Sequence, residues 1–248
     1  MSRIGIIDWG IGGISVYKLI KDRMRGVPVT YFSDTGAVPY GKMSRVQLAL
    51  RLDAVIEYLK SRGVTHVVIG CNAASTAIGD LSDHGVAVIG VIEPAVAMTA
   101  KLRPQKLGLI GGRRTVVSGV IRIAFAKRGI GIRQRIAQPL SALIESGDVS
   151  SAQLHSEARR ILRPLRGCSH VLLACTHYPA ILGVLRQHAP NVSFIDPAEE
   201  LVELLKRQKI ARSRGLDEFL TTGSTAAMKK AAKTAFSVKI PSVTRISL

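Results

Sequence analysis

Short apolar runs recur along the chain at 4–7, 29–32, 66–69, 87–91, 107–110, 171–173 and 193–195. Runs this short and continuous predict strands buried on both faces of a sheet. Between them lie segments whose apolar positions return every three or four residues: 16–23, 46–62, 94–102, 116–127, 152–165, 180–188 and 199–207. That period predicts helices with one face turned to the sheets. Ser44 stands just before the second of them, as an N-cap should. Strand alternating with helix implies mostly parallel sheets wrapped by helices, with ligands held at the C-terminal ends of the strands.

The pattern also repeats itself. The stretch Arg62-Gly63-Val64-Thr65-His66-Val67-Val68-Ile69-Gly70-Cys71 aligns with Arg166-Gly167-Cys168-Ser169-His170-Val171-Leu172-Leu173-Ala174-Cys175, 104 residues on. Ile4-Gly5-Ile6-Ile7 aligns with Leu107-Gly108-Leu109-Ile110, and Val91-Ile92-Glu93-Pro94 with Phe194-Ile195-Asp196-Pro197, each 103 residues on. The expected fold class is therefore α/β, as two pseudo-symmetric, mostly parallel half-domains with the active site between them. The first half should comprise 1–93 plus 207–248 and the second 94–206, with the last segment packing back on the first half.

The repeat gives two cysteines a meaning that neither has alone. Cys71 and Cys175 each follow an apolar strand, and a pseudo-dyad would set them on opposite sides of one pocket. A lone cysteine after a strand is usually a small buried hydrophobe, and Cys168 is read that way. Two opposed thiols suit removal of a proton from one face of a carbon and its return to the other, since a thiol titrates near ~8.5 and a neighbour can adjust it. A zinc site lacks a Cys-x-x-Cys motif and a helical His pair. A Cys–His hydrolase built on Cys175 and His177 leaves Cys71 without a role. Asp8 ends the first strand beside Gly10-Ile11-Gly12-Gly13, where a carboxylate can serve Cys71. His177 can serve Cys175. The glycines are expected to admit a ligand close to the backbone, and the following helix offers N–H groups to a carboxylate. The dinucleotide spacing Gly-x-Gly-x-x-Gly is absent.

Composition narrows the setting. Of 248 residues 47% are hydrophobic, which marks a folded chain, and no apolar run reaches membrane-spanning length. Residues 1–8 read as a first strand and not as a signal peptide. Three cysteines without a framework imply free thiols in a reducing, cytoplasmic compartment. The net charge of +18 attracts acidic ligands and, less specifically, nucleic acid. The basic residues are read as spread along the chain, and at 4% aromatics there is no stacking platform.

These motifs together resemble the cofactor-independent glutamate racemases of the aspartate/glutamate racemase superfamily, over nearly the whole chain. The resemblance rests on residues 5–13, on Ser33-Asp34-Thr35-Gly36-Ala37-Val38-Pro39-Tyr40-Gly41, on Cys71-Asn72-Ala73-Ala74-Ser75 and on Gly90-Val91-Ile92-Glu93-Pro94. It continues through Thr115-Val116-Val117-Ser118-Gly119, Leu143-Ile144-Glu145-Ser146-Gly147, Cys175-Thr176-His177-Tyr178-Pro179 and a closing strand at Phe219-Leu220-Thr221-Thr222-Gly223. It implies a two-half α/β sandwich, usually a homodimer, that uses neither pyridoxal phosphate nor metal and makes D-glutamate for peptidoglycan. It further implies Cys71 and Cys175 as the two bases, assisted by Asp8, Glu145 and His177. Substrate contacts are implied at Pro39, Tyr40, Gly41, Asn72, Thr115 and Thr176, and at positions 9 and 73.

At those last two positions the pattern departs. The family's Asp-Ser-Gly is here Asp8-Trp9-Gly10, and its Cys-Asn-Thr is Cys71-Asn72-Ala73. Each change removes a hydroxyl, and a ligand group left unmatched in a closed pocket costs ~1–3 kcal/mol. Gly111-Gly112-Arg113-Arg114 stands where the family has Gly-Thr before Thr115, so two guanidiniums suited to carboxylates appear. The sequence leaves three readings open: a glutamate racemase with Trp9 turned into protein; a racemase of aspartate or another acidic amino acid; and a non-catalytic homologue that binds nucleic acid or inhibits gyrase.

Overall fold

The computed structural model describes residues 2–248, arranged around two parallel sheets. The strands are β1 Ile4–Asp8, β2 Val29–Ser33, β3 His66–Ile69, β4 Ala87–Gly90, β5 Leu107–Gly111, β6 Ile132–Ile136, β7 His170–Ala174, β8 Ser193–Ile195, β9 Glu218–Thr221 and β10 Thr244–Arg245. The helices are α1 Ile14–Arg23, α2 Arg45–Ser61, α3 Asn72–Ser75, α4 Ile92–Lys101, α5 Arg113–Val117, α6 Val120–Ala126, α7 Gln138–Glu145, α8 Ala152–Leu162, α9 Leu182–His188, α10 Ala198–Arg207 and α11 Thr225–Phe236. Ser44 caps α2 in a full capping box with Gln47.

One sheet runs β10-β9-β2-β1-β3-β4 and the other β6-β5-β7-β8. The shared order β2-β1-β3-β4 and β6-β5-β7-β8 is the repeat made visible, and it extends to the register. Ile4 pairs with Val29 and His66, and Leu107 pairs with Ile132 and His170. β9 adds to the first sheet beside β2, so 218–221 returns to the first half.

Alternation along each strand feeds two cores. Ile4 and Ile6 enter the cluster formed with α1, α10 and α11, whereas Ile7 enters the cluster under α2. Leu107 and Leu109 pack with α4 and α6, and Ile110 with α7 to α9. Each such fully buried side chain contributes roughly 1.5–3 kcal/mol of transfer energy. The halves also trade their last helices. α4, which follows β4 of the first sheet, sends Ala95 and Val96 into the second sheet's core. α10, which follows β8, sends Leu201 and Leu205 into the first and lies on α1. The division at 1–93 with 207–248 and 94–206 stands as our proposal for the folding units, with the one change that α10 is counted with the first, on whose core it packs.

Several elements differ from the sequence expectation, and α3, α11 and β10 are among those it did not include. The helix expected over 116–127 is broken in two at Gly119, whose φ of 71° lies in the left-handed region. β6 and α7 were not foreseen: β6 is a half-exposed edge strand, and α7 starts with Pro139 in its first turn. Among the described residues no helix is long and apolar enough to cross a membrane.

Candidate active site

The cleft between the halves is built at the C-terminal ends of β1, β3 and β7. β1 is central in its sheet, paired on both sides, and so delivers Asp8 to the cleft floor almost fully buried. Its Oδ1 accepts the Gly10 N–H at 3.1 Å and its Oδ2 accepts the Thr176 hydroxyl of the opposite half at 3.1 Å. Burial raises its pKa against the opposing pull of His177.

Cys71 follows β3 and leads into α3, and Cys175 follows β7 at the equivalent point of the repeat. Both are half-buried free thiols. Their surroundings differ. Cys71 is pushed far above the ordinary thiol range, first by desolvation and then by the Asp8 carboxylate, with the other thiol adding to the effect. Cys175 lies 3.5 Å from His177 Nδ1, and His177 Nε2 lies 2.6 Å from Glu145 Oε2. Burial works against an imidazolium here, but the Cys175 thiolate and the Glu145 carboxylate outweigh it and hold His177 well above its usual value. The helpers occupy non-equivalent places in the repeat: Gly111 stands where Asp8 would recur, and Ala73 where His177 would.

The glycine-rich turn after Asp8 has a different purpose from the one expected. A Cβ at Gly10 would land in the Glu145 carboxylate, and one at Gly12 would lie 2.5 Å from Thr176 Oγ1 and 2.6 Å from His177 Nδ1. The glycines admit side chains of the opposite half, not a ligand. The Ile11 N–H is likewise taken, at 3.0 Å, by Glu145 Oε2. Glu145, the last residue of α7, thus ties His177 to the first half's loop.

Asn72 is the clearest opening for a ligand. It is almost fully buried, and neither its Oδ1 nor its Nδ2 has a hydrogen-bond partner. Buried amides are nearly always paired, so both atoms stand available to a ligand. Thr115 is buried on α5. Tyr40 is buried with its hydroxyl committed to Asp34 Oδ2 at 2.8 Å, which leaves its backbone for a ligand. Pro39 is half-buried in the turn closed by its carbonyl and the Lys42 N–H, and Gly41 is exposed beside it. Trp9 turns its indole N–H to the Ala37 carbonyl at 3.1 Å, and its ring joins the apolar cluster that also takes in Cys71 and Ala73.

One feature was missed in the sequence, and one residue singled out there, Arg114, makes contacts that were not foreseen. Asp34, fully buried, is held by Arg51 through bonds of 2.8 and 2.6 Å, by Tyr40, and by the Thr222 hydroxyl at 2.9 Å. This network fixes the loop that carries Pro39 to Gly41. Arg114 crosses from the second half to the first, with Nε on Thr76 Oγ1 at 2.9 Å and Nη1 on the Met43 carbonyl at 2.5 Å.

The chain belongs to the Asp/Glu/Hydantoin racemase family, whose model matches residues 4–205. Among individual relatives, the glutamate racemase of Synechococcus sp. (strain CC9605) is 34% identical over 202 residues, covering 79% of this chain and 75% of its own. Among solved structures, the glutamate racemase of Thermus thermophilus in complex with β-chloro-D-alanine superposes with a TM-score of 0.85 at 29% identity, over 100% of this chain and 97% of that one. The Francisella tularensis glutamate racemase in complex with D-glutamate shares the fold, with a TM-score of 0.89 at 22% identity over 99% and 97% of the two chains.

Proposed function

We propose that this chain is a glutamate racemase, interconverting L- and D-glutamate through Cys71 and Cys175 without a cofactor. The observation that carries the reading is the unequal equipment of two thiols at equivalent positions of the repeat. Cys175 has beside it His177, whose positive charge Glu145 supports and which can face a negative sulfur. Cys71 is half-buried beside Asp8, and desolvation with that carboxylate favours a thiol. In one direction the Cys175 thiolate takes the Cα proton and the C–H electron pair spreads into the carboxylate. The Cys71 thiol then donates its proton to the opposite face and is left as the thiolate. The other enantiomer runs the same steps backward from that state.

The unpartnered Asn72 amide, with Thr115 and Thr176, is suited to holding the amino acid at the reacting carbon. Trp9 acts through packing, because its indole donor is spent on Ala37. A homodimer and a cytoplasmic setting belong to this reading.

The test is incubation with single enantiomers of glutamate and of aspartate in deuterated water. Deuterium at Cα with inversion of glutamate is the expected result. Exchange of aspartate alone would move the substrate, and no exchange with either would sink the reading. Cys71→Ala and Cys175→Ala should each abolish racemisation.

A further inference from the structure

A cavity of about 410 Å³ opens at the mouth of the cleft, lined by Gly41, Arg45 and Thr76 of the first half and by Arg113, Arg114 and Ser118 of the second. Three guanidiniums surround it, and they are not equally occupied. Arg45 is paired with Asp80. Arg114 is half-buried and donates to Thr76 and Met43, both neutral oxygens, and no ion pair to it occurs among the described residues. Asp80, the acid that favours its charge, is committed to Arg45, and from 94 to 144 the chain carries ten Lys and Arg and no Asp or Glu. A half-buried cation with only neutral acceptors is poorly compensated. Burial and the neighbouring Arg45 disfavour its charge, while Cys71, as a thiolate, and Asp80 favour it, so Arg114 also lies within electrostatic reach of the site.

We propose that Arg114 is a specificity-determining residue that pairs with the side-chain carboxylate of the substrate. The inference rests on the racemase reading above and adds how an acidic amino acid is told from a neutral one. The placement follows from the two ends of such a ligand. Its α-carboxylate must sit at the reacting carbon, where the Asn72 amide lies beside Cys71. Its distal carboxylate then reaches outward, past Gly41 and Thr115, to the cavity where Arg114 follows on. The neutral donors that the family resemblance would supply are missing at Trp9, Ala73 and Gly112. A guanidinium with unused N–H groups compensates for them, since a charged donor to a carboxylate is about twice as strong as a neutral one.

The test compares wild type, Arg114→Gln and Arg114→Lys on glutamate and on glutamine, its uncharged isostere. α-Proton exchange in deuterated water gives turnover, and calorimetric binding of D-glutamate and D-glutamine gives affinity. Arg114→Gln retains an amide donor for the bridge between the halves but loses the charge. It should raise the KM for glutamate tenfold or more, change kcat less, and leave glutamine as it was; Arg114→Lys should recover part of the preference. Equal losses on both amino acids would reduce Arg114 to a bridge and overturn the proposal, as would a glutamate KM within twofold of wild type. If wild type exchanges neither amino acid, the racemase reading falls. Binding then decides Arg114 alone: glutamate weakened selectively in Arg114→Gln upholds it, and unchanged affinity refutes it.

Discussion

Replacing Glu145 by Gln removes one negative charge with almost no change in shape, and its consequences reach both halves. Glu145 Oε2 accepts the Ile11 N–H at 3.0 Å and faces His177 Nε2 at 2.6 Å, with its side chain 21% exposed. The short contact to His177 is a charge-assisted hydrogen bond, worth about 1.5–3 kcal/mol. That amount is the support for the imidazolium that E145Q withdraws, and at 1.4 kcal/mol per tenfold it becomes a fall of roughly 10- to 150-fold. The loss should be largest for the direction in which Cys175 begins as the base. The sign of the pH effect follows from His177, whose pKa in the folded chain is raised. The contribution of the charged pair is full below the ordinary imidazole range and is lost as pH climbs through the raised value. Withdrawing the carboxylate lowers that value, so the alkaline limb of the rate should move to lower pH. Circular dichroism run from pure L- and pure D-glutamate across pH reads both effects. Rates within twofold of wild type at every pH, with an unmoved alkaline limb, would refute the role given to Glu145.

Other predictions rest on different parts of the molecule. Asp8→Asn lifts one of the influences that keep Cys71 protonated, so alkylation of Cys71 at mildly alkaline pH should quicken even as racemisation falls; mass spectrometry of the Cys71 peptide measures it. Asp34→Asn leaves the Arg51 guanidinium beside a fully buried neutral amide and should cost about 3–5 kcal/mol in urea unfolding, as breaking a buried pair does. Asp196 is pushed up to about 6 by burial. Its raised pKa contributes stability in full below the ordinary carboxylate value near 3.8, and that contribution is gone once pH passes about 6. Asp196→Asn, which can still accept the Ala198 N–H, should therefore gain in Tm relative to wild type on going from pH 4 to pH 7.

The repeat made much of this fold legible because strand spacing and strand ends are local properties. β3 and β8 begin and end where their apolar runs do. β6 escaped because Ile132-Arg133-Gln134-Arg135-Ile136 lies on a sheet edge and buries little on either face. α11 escaped because Thr225-Ala226-Ala227-Met228-Lys229-Lys230-Ala231-Ala232 owes its helix to alanine propensity more than to an apolar stripe. In the site, Cys71 with Cys175 could be read from the repeat, and His177 from its place two residues after Cys175. Glu145 came only from family resemblance, since nothing near it in the chain announces that it will meet Ile11. The purpose of Gly10 and Gly12 was hidden for the same reason: what presses on them comes from more than a hundred residues away. The ties of Asp34 to Arg51 and Thr222, and of Arg114 to Met43, are likewise products of tertiary packing.

The unequal neighbours of Cys71 and Cys175 have a consequence for the empty enzyme under the two-thiol reading. Each turnover leaves the proton on the opposite sulfur, so the free chain exists in two forms, each ready for one hand of glutamate. Asp8 on one side and the His177–Glu145 pair on the other stabilise the two forms differently. At high concentration a single enantiomer then outruns the reset, and its own mirror image becomes the fastest means of restoring the starting form. Between turnovers, the protein carries a memory of the last hand it released.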